Sequence, residues 1–358
     1  MTTAAPAARS IRITAAASSR RPVTGAPPPA FGSVFSDHML VATHCHGEWQ
    51  DVEILPSQPL AIPPTASGLH YGLSVFEGLK AYRTFDDRLV LFRPQLHAER
   101  LNRSCRRVVL PEVPATLFTH GLQELVRLDR EWVPSCDKGS LYIRPLVFGS
   151  DESLQVKPAT AARLVVMTGP VGGYFSSDLT LVTSPQYARA FAGGTGDIKL
   201  GGNYGAAMFA EREAQSQGYA TILWLDAKEH RYVEECGVMN VFFVIAGRVI
   251  TPHLGGTILP GVTRDSVITL LRQHGVTVEE RPITITEVMG AHRAGQLTEC
   301  FGTGTAAAIA PVSTITHDGE RFRLPAAEHR EIAPMALDRL VQIRAGRQPA
   351  PEGWLVPI

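Results

Sequence analysis

Residues 197–204, Asp-Ile-Lys-Leu-Gly-Gly-Asn-Tyr, constrain this chain more than any other stretch. Paired glycines allow φ > 0 and a close backbone approach, and the residues that follow are helix-forming and amphipathic. The segment therefore reads as a tight turn entering a helix, with Lys199 at the turn. A lysine held there in a cavity loses solvation, its pKa falls, and its amine becomes a usable nucleophile. A solvated lysine on a surface turn has the same local sequence, so partners elsewhere in the chain must decide between the two.

The 358 residues are 44% hydrophobic and 19% charged, enough for a large core and more consistent with two domains than one. Basic and acidic residues are balanced at 34 each, so no bulk charge favours nucleic acid or an anionic membrane. No apolar run reaches a membrane-spanning length. The cysteines Cys45, Cys105, Cys136, Cys236 and Cys300 are odd in number and form no CxxC. That argues for reduced thiols in a cytoplasmic protein and against a disulfide frame or metal site.

Residues 1–34 are rich in Ala, Pro, Ser and Arg and contain no acid, which predicts a disordered tail. The same composition suits an organelle transit peptide, kept as the lesser reading. Beyond it, an α/β (α+β type) pattern predicts a smaller domain over 35–175, a linker over 176–188 and a larger domain over 189–358. Strands are predicted near 88–92, 141–145, 163–167, 179–183, 219–225 and 241–250. Helices are predicted after Arg93-Pro94, over 203–217, after Gly261 with Thr263 as N-cap, over 284–297 and over 328–345. The turn cluster 169–177 marks the domain boundary.

Several separated features suit one chemistry. The turns Pro260-Gly-Val-Thr263 and Gly302-Thr-Gly-Thr305 offer backbone N–H groups and hydroxyls to an anion, the first at a helix N-terminus. Arg100, on the helix after Arg93-Pro94, could add a full charge. Glu235 lies between β-rich segments, where a buried carboxylate would need a cationic partner. Each has an ordinary reading: punctuation for the turns, a solvated arginine, a surface acid beside Glu234. A lysine, a phosphate cradle and a buried acid together are what pyridoxal 5'-phosphate requires.

In order along the chain, FSDHM (35–39), YGLSVFEGLKAY (71–82), LFRPQLHAERL (91–101), LYIRP (141–145), GPVGGYF (169–175), KLGGNYGAAMFAE (199–211), EECGVMN (234–240), ILPGVTRDSV (258–267) and FGTGTAA (301–307) resemble the branched-chain aminotransferases. These are fold-type IV enzymes that use pyridoxal 5'-phosphate. The resemblance implies two domains with the cofactor in the interdomain cleft, no metal, and a cytoplasmic homodimer. It gives Lys199 the cofactor-bonding and proton-shuttling role, Glu235 the pyridine nitrogen and Tyr204 the phenolic oxygen. It gives the phosphate to Arg100, Arg189, Val262, Thr263 and Thr305. Tyr71, Phe76, Tyr142, Arg144, Tyr174, Val238 and Ala306 would meet the substrate, Arg144 as partner of a distal carboxylate.

The implied reaction is amino transfer between leucine, isoleucine or valine and 2-oxoglutarate, with small amino and 2-oxo acids as the partners. Alternatives are a D-amino acid transaminase, an aminodeoxychorismate lyase, an aminotransferase for a specialised amino acid, and a non-catalytic binder of phosphate ligands. Two departures stand out. Val238 replaces a threonine of the larger family members, and Ala307 and Ala310 stand where mammalian relatives carry a CxxC pair.

Overall fold

A computed structural model describes residues 11–21, 31–172 and 178–358. The chain divides into two compact units, Met1–Gly173 with Lys199–Gly201 and Arg344–Ile358, and Tyr174–Ile198 with Gly202–Ile343.

The first unit contains strands β1 (Arg12–Ile13), β2 (His38–Cys45), β3 (Glu48–Pro56), β4 (Ser74–Phe76), β5 (Leu79–Arg83), β6 (Leu89–Phe92), β7 (Ser140–Gly149) and β8 (Ala162–Val171), and helices α1 (Ser67–His70), α2 (Pro94–Arg107) and α3 (Ala115–Leu128). The sheet runs β1-β3-β2-β8-β7-β5-β6 and ends on the C-terminal strand Leu355–Pro357, with β4 also paired to β7. Residues 344–358 were expected in the domain that starts at 189; instead their strand completes this sheet against β6. Trp354 fixes the junction, its ring meeting Phe92 edge-on under the Arg93 guanidinium at 4.5 Å.

Helix α2 starts at Pro94, whose missing N–H is harmless in a first turn. Its buried positions are Pro94, His97, Ala98, Arg100, Leu101, Ser104 and Cys105. The 3–4 spacing is that of a core-facing stripe, yet three members are polar. Leu101 and Cys105 join Leu122 and Leu125 of α3 and Leu40, Leu141 and Leu164 of the sheet in one core.

The disordered tail expected over 1–34 does not describe residues 11–21. β1 pairs parallel with β3, the Ala16 N–H donates to His38 Nε2 at 2.8 Å, and the Arg20 N–H donates to Asp37 at 2.6 Å. Phe31 meets the Tyr142 ring edge-on at 4.8 Å. The sequence signalled none of these contacts, because they are made one residue at a time to distant partners. The turn cluster expected over 169–177 begins as strand: Gly169 to Val171 continue β8 opposite Tyr142 to Ser140, and 173–177 lie outside the described residues.

The second unit contains strands β9 (Leu179–Thr183), β10 (Thr221–Leu225), β11 (Val233–Cys236), β12 (Met239–Ile245), β13 (Arg248–Thr251), β14 (Val278–Glu280), β15 (Leu297–Gly304), β16 (Ala308–His317) and β17 (Glu320–Arg323), and helices α4 (Gly201–Ser216), α5 (Val262–Gln273), α6 (Ile285–Arg293) and α7 (Ile332–Arg344). The order β11-β10-β9-β16-β15-β12 closes on itself because β11 also pairs with β12. Leu181, Leu223, Val241, Phe243, Cys300 and Ile315 are among the buried core residues of this unit. Phe242 and Phe301, register partners on β12 and β15, stack at 5.1 Å.

Helix ends in this unit are held in three ways. Thr284 caps α6 by accepting the Glu287 N–H, as its side chain permits. Glu299 reaches from β15 to accept the N–H groups of Glu331, Ile332 and Ala333 at the start of α7. At α5 the N-cap is Gly261, with no side-chain cap bond, and the expected cap Thr263 is instead the second helical residue. Two residues were enough to move it, since extended backbone persists only through Gly261.

Candidate active site

In the first unit, Lys199 is fixed by its main chain. Its N–H donates to Ser104 Oγ at 3.0 Å, its carbonyl accepts the Phe76 N–H at 3.0 Å, and Leu200 bridges to Val75. The amine lies 4.6 Å from the centroid of the Phe76 ring. The glycine turn thus lays the lysine along β4 before the chain enters α4.

Below it lies a buried charge cluster. Arg100 donates from Nε to Glu77 Oε1 at 2.6 Å and from Nη2 to Glu77 Oε2 at 2.9 Å, a two-point geometry characteristic of guanidinium–carboxylate pairs. His97 Nδ1 lies 2.7 Å from the same Oε2. Burial alone would raise the Glu77 pKa, but Arg100 and His97 beside it hold the carboxyl well below the usual range. Burial, partly offset by Glu77, pushes the His97 pKa down.

Of the expected substrate residues in this unit, Phe76, Tyr142 and Arg144 occupy one neighbourhood. Tyr142 and Arg144 alternate onto one face of β7, and Arg144 Nη2 donates to the Tyr142 hydroxyl at 3.1 Å. The Arg144 guanidinium lies 4.7 Å from the Phe76 ring centroid. Gly78 makes this packing possible, since a Cβ there would stand 2.0 Å from the Tyr142 hydroxyl. Tyr71 is exposed and donates to the Leu154 carbonyl at 2.5 Å. Tyr174 lies outside the described residues.

In the second unit the centre is Glu235, 3% exposed. Its Oε1 accepts the Leu259 N–H at 3.0 Å and the Asn240 amide at 3.3 Å. Its Oε2 pairs with Arg189 Nε at 3.1 Å, an ion pair that lacks hydrogen-bond alignment. Arg189 was expected at a phosphate. Its described contacts go to Glu235 and to the carbonyls of Gly196 and Thr257. Glu234, on the opposite face of β11, is also buried. Burial raises its pKa, and it accepts the Thr257 hydroxyl at 2.5 Å.

Strand register sets this centre. Glu235 pairs with Asn240 across β11–β12, and Asn240 with Thr303 across β12–β15. Thr305 and Ala306 follow in the three-residue loop between β15 and β16. Gly261 lets the start of α5 come close, because a Cβ there would stand 2.1 Å from Asn240 Oδ1. A cavity of about 320 Å³ is lined by Arg189, Tyr204, Met208, Glu235, Val238 and Leu259, among others. Val238 is 66% exposed, so the wall it forms is open to a ligand.

Pyridoxal 5'-phosphate fits the residues present. The uncapped N-terminus of α5 carries Val262 and Thr263, both buried, and donors at a helix start suit a phosphate. Thr303 Oγ1 is buried with no hydrogen-bond partner among the described residues. Glu235 is a buried carboxylate of this second unit, and Lys199 is the amine of the first. Glu77, His97, Ser104, Asn240 and Thr303 were not singled out from the sequence. The available signal was polar residues at core-spaced positions of α2 and at strand positions of the second unit.

Residues 74–315 match the family model described as amino-transferase class IV. The chain belongs to this family. It is 41% identical over 333 residues to branched-chain-amino-acid aminotransferase 2 of Bacillus subtilis, covering 92% of each chain. Among solved structures it resembles the branched-chain aminotransferase of the archaeon Thermoproteus uzoniensis with norvaline, at 26% identity and TM-score 0.75, covering 89% of this chain and 99% of that one. It also resembles the Thermobaculum terrenum enzyme in its pyridoxal phosphate form, at 25% identity and TM-score 0.71, covering 90% and 98%.

Proposed function

We propose that this protein is a branched-chain-amino-acid transaminase that exchanges the amino group between leucine, isoleucine or valine and 2-oxoglutarate. The observation that carries this reading is a lysine fixed through its main chain, and a buried, cation-paired glutamate, in a chain 41% identical along 92% of its length to a named branched-chain enzyme. Bound pyridoxal 5'-phosphate supplies the electron sink for the bond broken at the substrate Cα.

In this reading the Lys199 amine would hold the cofactor, and its Nζ would move the proton at the substrate Cα. Glu235 faces the pyridine nitrogen as a carboxylate, a form that the Leu259 N–H, the Asn240 amide and the Arg189 guanidinium all favour. Tyr204 takes the phenolic oxygen. Val262, Thr263 and Thr305 would take the phosphate with Arg189 and with Arg100, whose orientation Glu77 sets. Tyr71, Phe76, Tyr142, Val238 and Ala306 accommodate the substrate, and Arg144 takes the distal carboxylate of 2-oxoglutarate. Aromatic side chains beside an arginine would let one pocket accept both an alkyl and an acidic side chain.

The same reading makes the protein a cytoplasmic homodimer that binds small amino and 2-oxo acids and neither nucleic acid nor membrane. Among the described residues no helix is long and apolar enough to cross a membrane. An amino-donor panel with 2-oxoglutarate, run with both enantiomers, tests the function. Preference for the L forms of leucine, isoleucine and valine is expected; preference for D donors, or no transfer at all, would reject it.

A further inference from the structure

Ser104 lies on α2, fully buried, four residues after Arg100. A buried helical serine commonly bonds back to the carbonyl four residues earlier and does nothing else. Ser104 makes that bond, donating from Oγ to the Arg100 carbonyl at 2.9 Å. Ser266 makes the equivalent bond to Val262 in α5. In Ser104 the same oxygen has a second use: it accepts the Lys199 N–H at 3.0 Å. A hydroxyl is the smallest side-chain group that donates and accepts at once.

We propose that Ser104 is a positioning residue for Lys199, acting through the lysine main chain; this rests on the function proposed above. Two bonds flank the Lys199 Cα, one from its N–H to Ser104 Oγ and one from the Phe76 N–H to its carbonyl. Together they fix the direction in which the side chain leaves the backbone. The Phe76 bond is a main-chain bond that any residue but proline could make at that position, so among the described bonds Ser104 supplies the side-chain contribution to this geometry. The same face of α2 carries His97 and Arg100, which are locked onto Glu77. One helix face therefore sets the height of both the amine and the guanidinium. Without the hydroxyl, the part-buried N–H of Lys199 itself loses its acceptor, and the turn can relax toward another one.

The test uses the holoenzyme with Ser104→Ala and Ser104→Thr. Three quantities are read: kcat and KM for leucine, the fraction of bound cofactor attached to Lys199 (by borohydride trapping and mass spectrometry), and the melting temperature. Misplacement of a reacting group by a fraction of an ångström supports an expected fall in kcat of roughly tenfold to a hundredfold for the alanine variant. KM should stay within about threefold, as expected when ground-state binding is retained, and the trapped fraction should fall. Threonine keeps the hydroxyl and should restore most of both. If Ser104→Ala does not fold, Ser104→Cys replaces it: it is near in size but a weak acceptor, and the same losses are expected. Wild-type kcat and trapping in a folded alanine or cysteine variant would overturn the proposal. So would equal losses in the alanine and threonine variants that track melting temperature, since that is packing alone. Wild-type protein that neither traps cofactor nor transaminates would instead reject the function on which the proposal rests.

Discussion

Arg189 and Glu235 stand 3.1 Å apart with side chains 9% and 4% exposed. The guanidinium, the Leu259 N–H and the Asn240 amide stabilise a carboxylate this deep. Replacing Glu235 by Gln removes the charge that would keep a ring nitrogen protonated. Cofactor binding should survive while turnover drops by several orders of magnitude. Glu234→Gln is the comparison: its pKa is already raised by burial, so a neutral amide should be tolerated. Steady-state rates and cofactor content of both variants decide, and similar rates would remove Glu235 from the site.

Lys199→Ala should abolish turnover while the protein still binds some cofactor through the phosphate donors. The visible band of the lysine-attached cofactor should vanish. Near-normal turnover with an intact band would show that another amine does the work.

Val238 is exposed on the wall of the 320 Å³ cavity, so it does not serve the core. Val238→Thr adds one hydroxyl, worth about 1 kcal/mol if it finds a partner. The relative kcat/KM among leucine, isoleucine and valine should shift by less than roughly a hundredfold, with an unchanged melting temperature. An unchanged donor ranking would place substrate elsewhere.

The first unit should lose stability in acid. The folded-state pKa of Glu77 is depressed, so its contribution is present above the unfolded value of about 4.3 and is lost as pH falls toward the folded one. His97 is depressed too. Below about 6.5 the unfolded chain takes up a proton that the folded chain refuses, which also lowers stability. Denaturation midpoints should therefore fall in two stages on acidification, and Glu77→Gln should flatten the lower one. A midpoint that does not change as pH falls from neutral through the unfolded histidine value of about 6.5 and on through the unfolded carboxylate value of about 4.3 would contradict the assignment.

Truncation separates the tail from the strap it leads into. Removing residues 2–21 deletes β1 and the Ala16 and Arg20 bonds, each worth about 0.5–1.5 kcal/mol. Activity should persist with a lowered melting temperature, whereas removing 2–10 alone should leave both unchanged. Equal melting curves for the two truncations would show that the strap adds nothing.

Elements carried by local pattern were legible: the helix after Arg93-Pro94, the lysine turn entering α4, and the hairpin of β12 and β13. Lys199 was legible because glycines flank it. Features set by remote partners were not. Nothing near Arg189 in sequence points to Glu235, and nothing near Ser104 points to Lys199. Thr263 looked like a cap because threonine commonly is one, but the backbone enters the helix at Val262. Gly169 to Val171 looked like a turn because of their composition, and cross-strand pairing with β7 overrides it.

The C-terminal strand Leu355–Pro357 has a consequence for how the chain is made. It closes the edge of β6 from the far end of the chain, after the whole second unit has been synthesised. Closing so long a loop costs little more than closing one of half the length, about 0.6 kcal/mol, so the finished protein loses little by it. A chain still on the ribosome, however, carries β6 with bare N–H and C=O groups, a template for pairing with other strands. Nascent chains and products truncated before residue 355 are thus the species most exposed to aggregation and most in need of a chaperone.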